Sequence, residues 1–142
     1  MDRLDVVELM PGCAPSRAHS GDAGLDLRAH TGDTLAPGEQ VMFGTGIQVA
    51  IPAGHVGLVF ARSGLSTKHG IVMANAVGVI DHGFAGEIMV PLLNASEVPY
   101  TIESYQRVAQ LVIMPIITPA VRLVEQLPDS ERGTGGFGSS GR

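Results

Sequence analysis

Short runs rich in β-forming and apolar residues alternate along the chain with Gly, Pro, Asn and Asp. The runs at 4–9, 24–28, 40–43, 46–51, 57–61, 71–73, 78–80, 87–93, 100–102, 107–115 and 120–124 predict β-strands. Many short strands at fairly even spacing point to a sandwich, a jelly roll or a barrel. One short helix is expected after residue 62. Ser63 is suited to cap it, Lys68 and His69 fall in its last turn, and Gly70 can end it. Ser63 and Gly64 would then lie at the positive end of the helix, where free N–H groups suit an anion. No internal repeat is visible.

Composition strengthens the strand reading. Nineteen glycines and nine prolines in 142 residues cut the chain into pieces too short for long helices. The length fits one domain with a real core. Trp is absent, so Val, Ile, Leu and Met must build that core. After Pro128 the character changes. Residues 129–142 are dominated by Gly and Ser, and Phe137 is their one large apolar side chain. Such a segment cannot fold alone, so the chain divides into a β-rich core domain over 1–128 and a flexible arm over 129–142. Arg132 and Phe137 among the glycines suit a flap that closes on something.

The net charge of −5 argues against general nucleic-acid binding. A polyanion would have to be held by local arginines, backbone N–H groups or a metal ion. Cys13 is the only cysteine, so no internal disulfide can form, and no Cys/His set has zinc spacing. No apolar run has the length of a membrane span, and no secretory signal is visible. A reducing cytoplasm is the default expectation.

Five stretches carry chemistry together. They are Asp22-Ala23-Gly24-Leu25-Asp26-Leu27, Ala61-Arg62-Ser63-Gly64-Leu65, Asn75 through Asp81-His82-Gly83-Phe84-Ala85-Gly86-Glu87-Ile88, Gln106-Arg107-Val108-Ala109-Gln110-Leu111, and Arg132 through Gly141. In this order and at these separations they resemble the five motifs of the trimeric dUTPase family, the dUTP pyrophosphatases. The resemblance implies an all-β fold, a distorted jelly-roll or β-clip barrel with one short helix and a flexible glycine-rich C-terminal arm. It also implies hydrolysis of dUTP to dUMP and pyrophosphate, which lowers dUTP and supplies dUMP for thymidylate synthesis. The implied cofactor is Mg²⁺, and the implied assembly is a homotrimer with sites shared between subunits.

Within that resemblance Asp81 is the catalytic base, aiming a water at the α-phosphorus. Gly78-Val79-Ile80-Asp81-His82-Gly83 reads as a strand running into a hairpin tip, which would hold the carboxylate on a rigid element. Asn75 offers a donor and an acceptor to the uracil edge, together with the backbone of Val79 and Ile80. Phe84 stands where the family usually has Tyr. Its ring would pack on the deoxyribose and exclude a 2′-hydroxyl. Met89 lies nearby in sequence and would line the same pocket. Arg62, Ser63, Gly64 and Gln110 are expected phosphate ligands. Asp26 is the expected holder of waters on an Mg²⁺ otherwise bound by the substrate phosphates. Arg132 would pair with the γ-phosphate, Phe137 would stack on uracil, and Gly138, Ser139 and Ser140 would close over the phosphates.

The chain departs from the family pattern at Leu25, at Ser104-Tyr105-Gln106 and at Thr134. Two rival functions follow from the same fold. A dCTP deaminase, or a bifunctional relative, would need a glutamate where this chain has Pro91, and Arg-Ser-Ser where it has Arg62-Ser63-Gly64. A non-enzymatic jelly-roll module has no reason to keep Asp81 with Arg62, Asn75, Gln110 and Arg132. For assembly, 120–124 is an apolar strand suited to exchange onto a neighbour, and 107–115 is long and apolar enough to need cover on both faces.

Overall fold

The computed structural model describes residues 3–141. Eleven strands and one helix follow in order: β1 Val6–Glu8, β2 Leu25–Arg28, β3 Asp33–Leu35, β4 Gln40–Gly44, β5 Ile47–Val49, β6 His55–Ala61, α1 Ser63–His69, β7 Ile71–Met73, β8 Gly78–Ile80, β9 Met89–Asn94, β10 Tyr100–Ile102 and β11 Arg107–Pro115. They form a four-stranded sheet β2-β11-β6-β8, a three-stranded sheet β4-β9-β7, and the pairs β1-β5 and β10-β3. Every pairing is antiparallel. This is the expected distorted jelly roll, but its sheets do not close into a barrel.

Alternation decides which face of each strand is inside. In β2, Leu25 and Leu27 are buried while Asp26 and Arg28 are half-buried on the opposite face. Leu27, Val59, Leu111, Ile71, Val90, Leu92, Ile47 and Ile102 are among the buried side chains of one continuous core. Each fully buried aliphatic of this size contributes about 1.5–3 kcal/mol through removal from water. The aliphatic composition thus appears directly as the filling between the sheets.

The structure corrects four local expectations. Ser63 does not cap α1. Arg62 occupies the cap position in an extended conformation, no side chain bonds there, and Ser63 is the first helical residue. Gly70 does end the helix, with φ +66° and its N–H on the carbonyls of Leu65 and Ser66. Strand β3 was not expected, because Asp-Thr-Leu is too short to show a pattern; it exists through pairing with β10. Residues 120–124 form no strand. They pair with none of the sheets, and a strand without a partner leaves its polar backbone unpaired. Finally, β8 does not run into a hairpin. It pairs with β6, while β9 joins β4 and β7. The chain between them crosses from one sheet to the other.

From Ile117 to Gly141 the described residues make no hydrogen bond to the core. Arg142, the last residue of the expected arm, lies outside the described residues.

Candidate active site

The first cluster forms on the polar face of β2 and β11. Antiparallel register sets Gln110 directly opposite Asp26 and Arg107 opposite Arg28. Arg107 and Gln110 are three residues apart, so in a regular strand they would face opposite sides. A bulge between Arg107 and Ala109 absorbs one residue. Val108 and Ala109 both turn inward, and Arg107 and Gln110 share the face of Asp26. Asp26 then lies between two guanidinium groups, 3.4 Å from Arg62 Nε and 3.5 Å from Arg107 Nη1. Arg62 also donates to the Arg107 carbonyl at 3.3 Å.

Gln110 is held by a bond from its Nε2 to the Ala61 carbonyl at 3.1 Å. Its side chain lies over Gly24, where a Cβ would come within 3.2 Å of Gln110 Cβ and closer still to Oε1. Gly24 is therefore the residue that leaves space for the amide. Asp22, Gly24, Asp26, Arg62, Ser63, Gly64 and Gln110 line one polar cavity of about 310 Å³. With no side chain at the helix cap, the first-turn N–H groups of α1 are left without an internal partner. The Arg62 guanidinium, the Gln110 amide and the free N–H groups of α1 suit an anion in this cavity, with the Asp22 and Asp26 carboxylates beside them.

A second cavity, about 230 Å³, is lined by Val79, Ile80, Asp81, Phe84, Glu87, Ile88 and Met89. Asp81 follows directly on β8 and opens a tight turn. The Phe84 N–H donates to the Asp81 carbonyl at 3.2 Å, and Gly83 has φ +92°. Positive φ at the third turn position is the signature of a type II turn, which favours glycine there. Among the described residues nothing donates a hydrogen bond or pairs with the Asp81 carboxylate, so it is open to water.

The turn is fixed from outside by a row of bonds to residues 45–51. His82 Nδ1 bonds the Ile51 carbonyl at 2.7 Å, Gln48 Nε2 donates to the Ala85 carbonyl at 2.7 Å, and the Gly46 N–H donates to Glu87 Oε1 at 2.9 Å. Ile88 bonds Ile47 through its N–H and accepts from Thr45. Glu87 also faces His30 Nε2 at 3.4 Å. Cys13 is buried beneath Gly46. Burial first, then the charges of Glu8 and Glu87, push its thiol up from the ordinary range, which makes it a packing residue and not a nucleophile.

The sequence model of the dUTPase family matches residues 11–141. This chain belongs to the dUTPase family. A deoxyuridine 5′-triphosphate nucleotidohydrolase of Leifsonia xyli subsp. xyli is 48% identical over 128 residues, covering 89% of this chain and 84% of that protein. One from Anaeromyxobacter sp. is 49% identical over 128 residues, covering 90% and 87%. Among solved structures, the Staphylococcus bacteriophage 80alpha dUTPase with dUPNHPP superposes with a TM-score of 0.93 at 34% identity over the whole of both chains. The dUTPase from phage phi11 of S. aureus gives 0.83 at 30% identity, over 89% of this chain and 98% of that one.

Within this dUTPase-family fold the sequence-expected residues fall into three separate groups, with Asn75 apart from all of them. Asp26, Arg62, Ser63, Gly64 and Gln110 share the polar cavity. Val79, Ile80, Asp81, Phe84 and Met89 share the second, and the two cavities have no lining residue in common. Asn75 lines neither. It sits on the tight turn before β8, where Ala76 has φ +61° and the Val77 N–H bonds the Asn75 carbonyl at 2.7 Å. Its amide nitrogen lies beside Gly78, 3.7 Å from where a Cβ would be.

Arg132, Phe137, Gly138, Ser139 and Ser140 form turns that bond only one another's segment, as in Arg132 Nε to the Gly135 carbonyl at 2.6 Å. Phe137 is fully exposed. Arg107, Asp22 and Gln48 are the site residues that sequence reasoning passed over. Arg107 stood inside a quoted motif; Gln48 has no local signal, because its partner is 37 positions away. Among the described residues no helix is long and apolar enough to cross a membrane.

Proposed function

We propose that this chain hydrolyses dUTP to dUMP and pyrophosphate, at sites completed by neighbouring copies of itself. The observation that carries the reading is the division just described. One cavity holds an unpaired carboxylate beside an aromatic ring, another holds a guanidinium, an amide and helix N–H groups beside two carboxylates, and the tail lines neither. A homotrimer brings the three groups together, with one chain giving the Asp81 cavity, a second the phosphate ligands and a third the arm over 129–142. The exposed apolar residues Val121 and Leu123, at 90% and 93% exposure, supply the surface for exchange onto a neighbour. A buried, unpaired Cys13 suits a reducing cytoplasm.

In this reading Asp81 orients a water and takes its proton as the water oxygen bonds the α-phosphorus. The bond from that phosphorus to the bridging oxygen breaks, and pyrophosphate departs. Asn75 and the backbone of Val79 and Ile80 read the uracil edge. Phe84 packs on the deoxyribose, and Met89 closes the cavity beside it. Arg62, Ser63, Gly64 and Gln110 hold phosphate oxygens. Arg132 pairs with the γ-phosphate, Phe137 stacks on the base, and Gly138, Ser139 and Ser140 close over the phosphates.

Among the described residues no group of three or more His, Cys, Asp or Glu can hold a metal. Asp22 and Asp26 nevertheless line the phosphate cavity. That donor set suits Mg²⁺ held by the triphosphate, with Asp26 accepting hydrogen bonds from its waters. When bound, Mg²⁺ offsets the charge of the triphosphate and of the leaving pyrophosphate.

The deaminase alternative lacks its group. Pro91 is buried on β9, where its carbonyl accepts the Ala74 N–H, and it offers no acid or base. The test is pyrophosphate release from dUTP, dTTP, dCTP and UTP by the wild type and by Asp81→Asn. Release from dUTP alone is expected, with a loss of about 100- to 10,000-fold in the variant. Equal turnover in the variant overturns the assignment, and ammonia release from dCTP favours the deaminase.

A further inference from the structure

Phe84 is a wall between two cavities. It lines the Asp81 cavity on one side, and on the other an apolar cavity of about 340 Å³ that also meets Val7, Val49, Ile51 and His82. A ring in that position has somewhere else to go. Side chains rotate between staggered positions at little cost when space is open, so something must keep the ring on the Asp81 side.

Two residues with no assigned chemistry, Gly86 inside the third stretch and Gln48 outside all five, bear on the position of the ring. The ring lies directly over Gly86. A Cβ on Gly86 would stand 2.7 Å from Phe84 Cζ, 3.2 Å from Cε2 and 3.4 Å from Cε1. The bare α-carbon is thus the floor on which the ring rests, and a methyl group would lift the ring off it. Between Phe84 and Gly86 lies Ala85, whose carbonyl accepts the Gln48 amide at 2.7 Å. The turn is pinned before Phe84 by the Asp81 carbonyl and after Gly86 by the Glu87 and Ile88 bonds. Gln48 is the only side chain among the described residues that bonds the stretch between those anchors.

We infer that Gln48 and Gly86 are specificity-positioning residues, which fix the Phe84 ring against the sugar and so set discrimination against a 2′-hydroxyl. The inference rests on the reading of Phe84 as the residue that packs on the deoxyribose. Loss of the Gln48 donor lets the segment relax, and the ring swings into the apolar cavity. A methyl at position 86 forces the ring the same way. Either change vacates the space that a ribose hydroxyl needs.

The experiment measures kcat/KM for dUTP and for UTP in the wild type, Gln48→Met, Gly86→Ala and Phe84→Ala, with the melting temperature of each. Gln48→Met keeps the side-chain volume and removes only the donor. The dUTP-to-UTP preference is expected to fall about ten-fold in Gln48→Met and Gly86→Ala, the scale of a lost steric contact in a pocket. In Gln48→Met combined with Phe84→Ala it should fall no further than in Phe84→Ala alone. A purely structural role would lower the melting temperature and leave the preference unchanged, and that result overturns the inference. If Phe84→Ala itself leaves the preference intact, the reading of Phe84 fails, and the positioning role fails with it. If Phe84→Ala lowers the preference while neither other variant does, only the positioning role fails. Should Gly86→Ala not fold, Gln48→Met and the double variant still decide.

Discussion

Asp26 Oδ1 lies 3.4 Å from Arg62 Nε, tying the polar face of β2 to the start of α1. The same carboxylate faces Arg107 at 3.5 Å. Both separations are long for direct hydrogen bonds, so the oxygens keep capacity for other donors. Under the proposed function Asp26 would have two tasks at once, aligning two cations and accepting from metal-bound water. Asp26→Asn keeps the size and removes the charge. Outer-sphere groups of this kind are worth about 10- to 100-fold in metal affinity. The Mg²⁺ concentration for half-maximal dUTP turnover should therefore rise at least about ten-fold, with little change in circular dichroism. A variant with a normal Mg²⁺ titration and a raised KM would assign Asp26 to the arginines alone.

The turn from Asp81 to Phe84 depends on Gly83, whose φ of +92° disfavours any L side chain. Gly83→Ala places a strained residue there at a cost of about 1–3 kcal/mol. The strain falls between the proposed base and the residue proposed to pack on the sugar, so relaxing it moves one of them. Activity should drop by more than stability accounts for. The check is a urea titration beside kcat/KM for dUTP. A variant that loses stability and keeps full turnover would show that the turn is only a connector.

How far the sequence carries depends on the range of the interaction. The end of α1 at Gly70 was legible, since a glycine after Lys68 and His69 is a local signal. The interiors of β2, β6 and β11 were legible because apolar residues mark one or both faces. Partner choice was not. Val79 and Ile80 pair with β6, and nothing near Asp81 in sequence says that the chain then leaves for the other sheet. The motif residues were found through family resemblance. Arg107 shows what resemblance leaves out: its place beside Asp26 follows from a bulge, which only the register of two strands reveals. Residues 120–124 failed as a strand for the converse reason. Their pattern is apolar enough for a strand, but within the single chain they pair with none of the sheets.

The arm after Pro128 bonds only within itself, and Phe137 buries nothing. Removing residues 133–142 should therefore leave the circular dichroism spectrum and the melting temperature unchanged. If the arm closes over bound substrate, the deletion removes Phe137 and the glycine and serine donors at once. Base–aromatic stacking alone is worth about 1–3 kcal/mol, and closure also excludes water from the reaction. Most of kcat/KM for dUTP should disappear in the truncated chain. Full activity without the arm would end the reading of 129–142 as a flap.

Val121 and Leu123 are almost completely exposed in one chain, and Ile117 and Leu127 flank them at 89% and 80% exposure. Isolated apolar residues on a surface are ordinary, but with Val124 there are five within eleven positions, on a segment with no hydrogen bond to the core, and such a group calls for a partner. In a homotrimer they would be buried on a neighbouring copy. Replacing Leu123 by Glu then puts a charge into that contact, which costs several kcal/mol unless the charge is paired. In a monomer the same change would improve solubility and do nothing else. Sedimentation equilibrium distinguishes the cases. The wild type should sediment as three chains, and Leu123→Glu should shift towards one chain with loss of dUTP hydrolysis in parallel. A wild type that sediments as a single chain while remaining active would rule out sites shared between copies.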